Sequence, residues 1–283
     1  MIYKYHLCFL LVLSISLVSC TSNAVVTPTN VLSPLPVLGT PTFIITPTKT
    51  QIPTLPPTLT LLQANEKIRA YLQSSIDCPA PCFWGITPKK TTLREATNIF
   101  ASLGLELEQT NAENNQEFYA THYDIEKGFE TTIILTVQDG IVKTLGAGMN
   151  VPSENGTQRK WAAYSPENLI QRYGSPSKVD FFLGRVSPTP THSMVLYFDN
   201  IDLIVSYSRS GMNFFNNSTT LDLCPLINEV NFIKIWMGNE PRHPPPAGIP
   251  LEKATSLTLE GFSKLILGDP NKACFNLKDE AFP

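Results

Sequence analysis

The sequence predicts an α+β fold: two helix-plus-antiparallel-meander units with a disulfide-stapled C-terminal extension. Three observations carry this. Helix-start signals at Thr92 and Ser165 are each followed by several consecutive strand-like runs, an order that argues against alternating βαβ units. Asp139-Gly140 between two apolar runs is the strongest short hairpin signal. Four cysteines remain in the folded part, an even number that reads as disulfides in an exported chain.

The chain has 283 residues with 21 Lys+Arg against 24 Asp+Glu, formally −3. That balance argues against nucleic acid as a partner, because phosphate binding needs a basic surface. Residues 1–19 read as a lipoprotein signal peptide, with Lys4 in a positive n-region and an apolar run over 7–18. The segment Leu17-Val18-Ser19-Cys20 resembles the lipobox of bacterial lipoproteins. The resemblance implies that Cys20 becomes the lipid-bearing first residue of the mature chain. Two acyl chains anchor stably where one does not. The expected location is therefore the cell membrane, lipid-anchored on its extracytoplasmic face.

Residues 20–61 read as a tether. Positions 21–60 hold eight Pro, eleven Thr and a single charge, Lys49. Proline removes backbone donors and favours extended conformations, so this stretch cannot build a core. Fully extended, it would reach on the order of 120 Å. Such a spacer holds a domain away from a membrane.

The first unit spans 62–157. An amphipathic helix is marked by Leu61, Ile68, Leu72 and Ile76. Thr92-x-x-Glu95 is a capping box opening a second helix, with Leu93, Ala96, Ile99, Phe100 and Leu103 on one face and Gly104 at its end. Strands are expected near 117–124, 130–138 and 141–148. The second unit spans 158–212. Ser165-Pro166-Glu167 gives an N-cap, a first-position proline and an acidic first turn, and Gly174 closes the helix. Strands are expected near 178–184, 193–199 and 201–208, the last pair turning at Asp199-Asn200. Leu103-Gly104 aligns with Tyr173-Gly174, and residues 135–141 align with 195–201, which reads as a degenerate duplication. The extension, 213–283, holds a strand near 230–237, a proline-rich loop over 242–250 and a helix capped by Thr258.

Four cysteines allow three pairings. The favoured one joins Cys78 to Cys82 and Cys224 to Cys274, because Cys78-Pro79-Ala80-Pro81-Cys82 is a stiff loop that keeps two sulfurs close. The same spacing resembles the copper motif of Sco-type chaperones. Those proteins place a strand before the motif and a helix after it, whereas here a helix precedes and a loop follows. His122, His192 and His243 have no ligand-like spacing and read as surface or loop residues, so no metal and no cofactor is expected.

Two segments carry a further resemblance. They are Pro81-Cys82-Phe83-Trp84-Gly85-Ile86-Thr87-Pro88 with Thr91-Thr92-Leu93-Arg94-Glu95-Ala96, and residues 169–179 around Tyr173-Gly174-Ser175-Pro176. Both look like the helix-Gly-x-Pro pattern of small outer-membrane assembly lipoproteins (SmpA/OmlA-like), whose tandem relatives include folds like the β-lactamase inhibitor protein. The resemblance implies a helical layer on an antiparallel sheet, used for binding proteins and not for catalysis. The Cys-Pro-x-Pro-Cys segment is also similar to one in bacterial lipoproteins of no known role.

Catalytic signals are sparse. Ser175-Pro176-Ser177-Lys178 fits Ser-x-x-Lys but follows a helix end and lacks companion motifs. Asp199 and Asp202, like Asp124 and Glu126, read as turn residues. Trp161, Tyr164, Phe214 and Phe215 are the candidate partner-binding aromatics, because aromatic side chains in polar loops are the usual anchors of binding sites. The expected function is a non-enzymatic, surface-exposed lipoprotein that binds a protein or an envelope polymer. The alternatives are an extracellular hydrolase and a metal- or solute-binding lipoprotein.

Overall fold

The computed structural model describes residues 58–74, 77–110, 116–124, 128–150, 162–184, 191–210, 220–223, 232–239, 247–269 and 274–278, with Val230 and Pro245. The signal peptide, Cys20 and the tether up to residue 57 lie outside the described residues.

Helix α1 (Leu61–Gln73) starts where Thr60 and Gln63 form a capping box, one that the sequence reading passes over. Its buried stripe is Ala64, Ile68 and Leu72, spaced four apart, with Asn65 beside it. Leu61 was expected on that stripe but is 69% exposed, because it is the first residue of the helix and precedes the stripe by three positions. Ile76 lies outside the described residues. Helix α2 (Leu93–Ser102) has the expected capping box at Thr92 and buries Ala96 and Phe100. Strands β1 (Glu108–Thr110), β2 (Gln116–Asp124), β3 (Phe129–Gln138) and β4 (Ile141–Asn150) follow. Asp139 and Gly140 both have positive φ, +53° and +73°, the conformation a two-residue hairpin turn of matching twist requires.

Helix α3 (Pro166–Tyr173) is capped by Ser165, whose hydroxyl accepts from Asn168 N, and ends at Gly174. Then come β5 (Lys178–Gly184), β6 (Thr191–Phe198) and β7 (Leu203–Ser210). The β6–β7 connection is longer than the expected two-residue turn: a single 3₁₀ turn, Asp199–Ile201, followed by Asp202 in the left-handed region. The chain continues through β8 (Thr220–Leu223), β9 (Phe232–Met237), β10 (Ile249–Pro250), α4 (Leu251–Ala254), α5 (Leu259–Gly268) and β11 (Phe275–Lys278).

Nine strands form one antiparallel sheet in the order β1-β2-β3-β4-β9-β7-β6-β5-β10, and β11 pairs with β8 in a second, two-stranded sheet. The fold is thus mixed α+β and mostly sheet. The segment expected as an extension supplies β9, which sits between the two meanders. Ile235 pairs with Ala147 on one side and Val205 on the other, and Met237 with Leu145 and Leu203. Both β4 and β7 are antiparallel to β9, so they run parallel to each other without touching.

Alternation along the strands sends one set of side chains to a single core. Leu135 and Val137 of β3, Leu145 and Ala147 of β4, Leu196 and Phe198 of β6, Val205 of β7, and Ile233 and Ile235 of β9 belong to it. Each of the helices α1–α5 among the described residues contributes to the same cluster, through residues such as Leu72, Phe100, Ile170, Leu251 and Phe262. Phe275 of β11 stacks on Phe262 at 5.2 Å, so the small sheet docks at the α5 end of this core.

Candidate functional site

Among the described residues, two places bring chemistry-bearing side chains together. The first is the loop around the cysteines. Cys78 and Cys82 are disulfide-bonded, as expected. Cys274 is disulfide-bonded too, and its expected partner, Cys224, lies outside the described residues. The bridge sits on a tight turn in which Phe83 and Ile86 exchange both backbone hydrogen bonds at 2.9 Å, with Trp84 and Gly85 at positive φ. Gly85 N donates to Cys78 Sγ, and Ala80 N donates to the Tyr173 hydroxyl of α3 at 2.8 Å. Phe83 stacks on Trp84 at 5.1 Å and lies 5.8 Å from the Tyr164 ring. The loop therefore enters the core as a plug and ties α3 to the α1–α2 connection.

Trp84 meets the edge of His122 in β2. Two residues further on, Asp124 is fully buried and receives a two-point hydrogen bond from Arg69 of α1, Nε to Oδ2 at 2.7 Å and Nη2 to Oδ1 at 2.9 Å. These residues correct the sequence reading. Asp124 is the last residue of a strand and not a turn residue, and its carboxylate tolerates burial because a guanidinium matches both oxygens. His122 and His192 are strand residues, 3% and 8% exposed, and not surface or loop histidines. Both share the parity of core-facing neighbours, Ala120 and Met194, which turns them inward. Among the described residues no group of three His, Cys, Asp or Glu is arranged to hold a metal ion. His243 lies outside them.

Burial lowers the pKa of His122, and that of His192 more strongly, to about 4, with Arg209 adding to the effect at His192. An unfolded histidine titrates near pH 6.5. Between pH 6.5 and 4 the unfolded chain takes up protons that the folded one refuses, so stability falls as pH drops through this window. The expected contribution of His192 is roughly 2 to 3 kcal/mol lost between pH 7 and pH 4.5. Urea unfolding at the two pH values should show a smaller loss for His192→Gln than for the wild type. Equal losses would remove His192 as the source.

The second place is the sheet face turned away from the helices. It carries the alternate residues: Tyr119, Thr121 and Tyr123 of β2; Glu130, Thr132 and Ile134 of β3; Gly146 and Gly148 of β4; and Phe232, Lys234 and Trp236 of β9. Beyond β9 the row Ser206, Val195 and Asp180 is buried, while Ser193, Ile204 and Ser208 beside it are half-buried. There the Tyr197 hydroxyl donates to Asp180, which also pairs with Lys178 at 2.6 Å. Burial first, then the Asp180 charge, pushes the Tyr197 pKa up, so the phenol stays a donor. The β2-β3-β4-β9 half carries the exposed side chains Thr121, Tyr123, Glu130 and Lys234. It holds a cavity of about 340 Å³ lined by Glu130, Thr132, Ile134, Gly146, Lys234 and Trp236, among others. Lys234 Nζ lies 5.2 Å above the Phe232 ring, and Tyr123 is 57% exposed.

Of the expected partner-binding aromatics, Trp161, Phe214 and Phe215 lie outside the described residues. Tyr164 is corrected: it is 4% exposed, its ring touches Phe83, its carbonyl accepts from the Tyr207 hydroxyl, and burial raises its pKa. It is a core residue, unavailable as a surface anchor. The face residues Tyr119, Tyr123, Phe232 and Lys234 were missed. The available signal was Gly146-Ala147-Gly148 inside a strand, since strand glycines mark close approach of a ligand or backbone.

Comparison of the chain with protein-family profiles, with curated proteins and with solved structures finds no match.

Proposed function

We propose that this chain is a lipid-anchored lipoprotein whose folded domain binds a protein or an envelope polymer through the β2-β3-β4-β9 face. One observation carries the reading. A sheet whose other face packs into the core with the helices presents here accessible aromatic side chains, Tyr119, Tyr123 and Phe232, beside the charged Glu130 and Lys234. Aromatic side chains in an accessible patch with a charged rim are the usual makeup of a recognition surface. The lipobox ending at Cys20 and the Pro/Thr-rich tether support an anchor at the extracytoplasmic face of a membrane, with the face held beyond it. The likeness to assembly lipoproteins and inhibitor-type folds belongs to the same proposal, since those are binding domains.

The two meanders are proposed to descend from one unit. The aligned runs 135–141 and 195–201 support it, since each spans the turn between the second and third strand of its meander.

The test is capture from a cell-envelope extract by the immobilised full chain, compared with a Tyr123→Ser/Lys234→Glu variant. Both positions are exposed, so the variant should fold. Partners held by the wild type and lost by the variant are the expected result. Equal capture by both would overturn the assignment of the face. Turnover of an envelope component by the pure protein would overturn the non-enzymatic reading.

A further inference from the structure

Gly146 stands in the interior of β4, with Ile134 opposite it on β3 and Trp236 opposite it on β9. Glycine in the interior of a strand weakens the sheet, so a reason is required for it. Its φ is not positive, so no backbone conformation demands it. A Cβ there would meet only Ile134 Cβ, at 3.9 Å, so no close neighbour demands it either. Gly148, one row along, differs: a Cβ there would touch the Phe232 ring at 3.5 Å, and that ring already covers the strand. What Gly146 provides is room. Strands lie about 4.8 Å apart, so the backbones of Ile134 and Trp236 stand about 10 Å apart, with bare peptide between them. This strip floors the 340 Å³ cavity.

Resting on the binding-face reading above, we infer that the slot over Gly146 takes a sugar ring, and that Gly146 sets its size. The walls are apolar at Ile134 and Trp236, while Glu130 and Thr132 rim the β3 side and Lys234 the β9 side. A pyranose has the matching makeup, with C–H faces for the floor and walls and hydroxyls around its edge. Hydroxyls donate and accept; Thr132 and Lys234 stand one row from Gly146 and Glu130 two rows, so a ring over Gly146 meets the threonine and the ammonium, and the next ring of the polymer reaches the carboxylate. An aromatic or proline side chain from a protein would fill the floor but desolvate Thr132 and the Lys234 ammonium without replacing their hydrogen bonds. The cavity is at the small end of the range for small-ligand sites, which suits a short saccharide stretch of a longer polymer.

The test is calorimetric titration of the full chain, in a sugar-free detergent, with cellotetraose, with chitotetraose and with a proline-rich decapeptide. Binding of either tetrasaccharide by the wild type is expected. Gly146→Val should weaken it roughly tenfold or more by filling the slot, while the urea midpoint stays level or rises because a β-branched residue suits a strand. Glu130→Gln, which changes no volume, should weaken binding by about threefold or more. If Gly146→Val fails to fold, Glu130→Gln decides. Absence of tetrasaccharide binding, or affinity unchanged in the variants, overturns the inference. Binding of the decapeptide alone overturns the sugar but leaves the face standing, whereas the face itself falls only with the Tyr123/Lys234 capture experiment.

Discussion

Arg69→Met is expected to destabilise the domain by about 4 kcal/mol, because it leaves the fully buried Asp124 carboxylate without its guanidinium. Methionine keeps much of the arginine stem, so the loss reports the charge and not the packing. In a domain of this size such a loss lowers Tm by roughly 10 °C. Asp124→Leu alone should cost less, since Arg69 retains a route to solvent with 20% of its side chain exposed. The double variant Arg69→Met/Asp124→Leu should recover most of the loss, because burying neither charge avoids the desolvation that the pair must offset. Denaturant unfolding of the three variants completes a double-mutant cycle. A cost below about 1 kcal/mol for Arg69→Met would show that water or another group takes over the carboxylate.

Gly238→Ala is expected to cost about 3 to 4 kcal/mol, combining the left-handed backbone penalty with overpacking. Gly238 follows β9, has φ of +91° and donates its N–H to the Asp202 carbonyl at 3.0 Å. A Cβ there would lie 2.4 Å from the Lys143 carbonyl oxygen and 3.2 Å from Pro88 Cβ. The carbonyl is main chain, so relief requires moving β4 or β9, which join the two halves of the sheet. Gly140→Ala is the matched control. It shares the positive φ but has nothing within 4 Å of the added carbon, so only the backbone penalty of about 1 to 2 kcal/mol is expected. Equal losses at the two positions would mean that the close approach relaxes without cost.

Local signals were legible in the sequence. Thr92 with Glu95, Ser165 with Pro166, and Asp139-Gly140 act over three or four residues, and the elements they announce begin and end close to the expected positions. The disulfide between Cys78 and Cys82 is local in the same sense. What escaped depends on distant partners. The run over 230–237 reads as a strand from its own residues, but nothing in it specifies that Ile235 pairs with Ala147 and Val205. Asp124 looks like a turn residue until Arg69, fifty-five positions earlier, is placed against it. The candidate site escaped for the same reason, since Gly146 becomes a slot only when Ile134 and Trp236 flank it.

The central place of β9 bears on the order in which the molecule can assemble. Chains emerge N-terminus first, and domains begin to fold as they emerge. By the time residue 210 is available, β2–β4 and β5–β7 can each pair internally, but β4 and β7 still present unsatisfied edges. Such edges template pairing with other chains. Only the arrival of Phe232–Met237 closes both at once, across sequence separations that make the step slow relative to the hairpins. The nascent protein thus passes through a stage with two sticky inner margins, and the strand that enters between the meanders acts as the keystone that removes them.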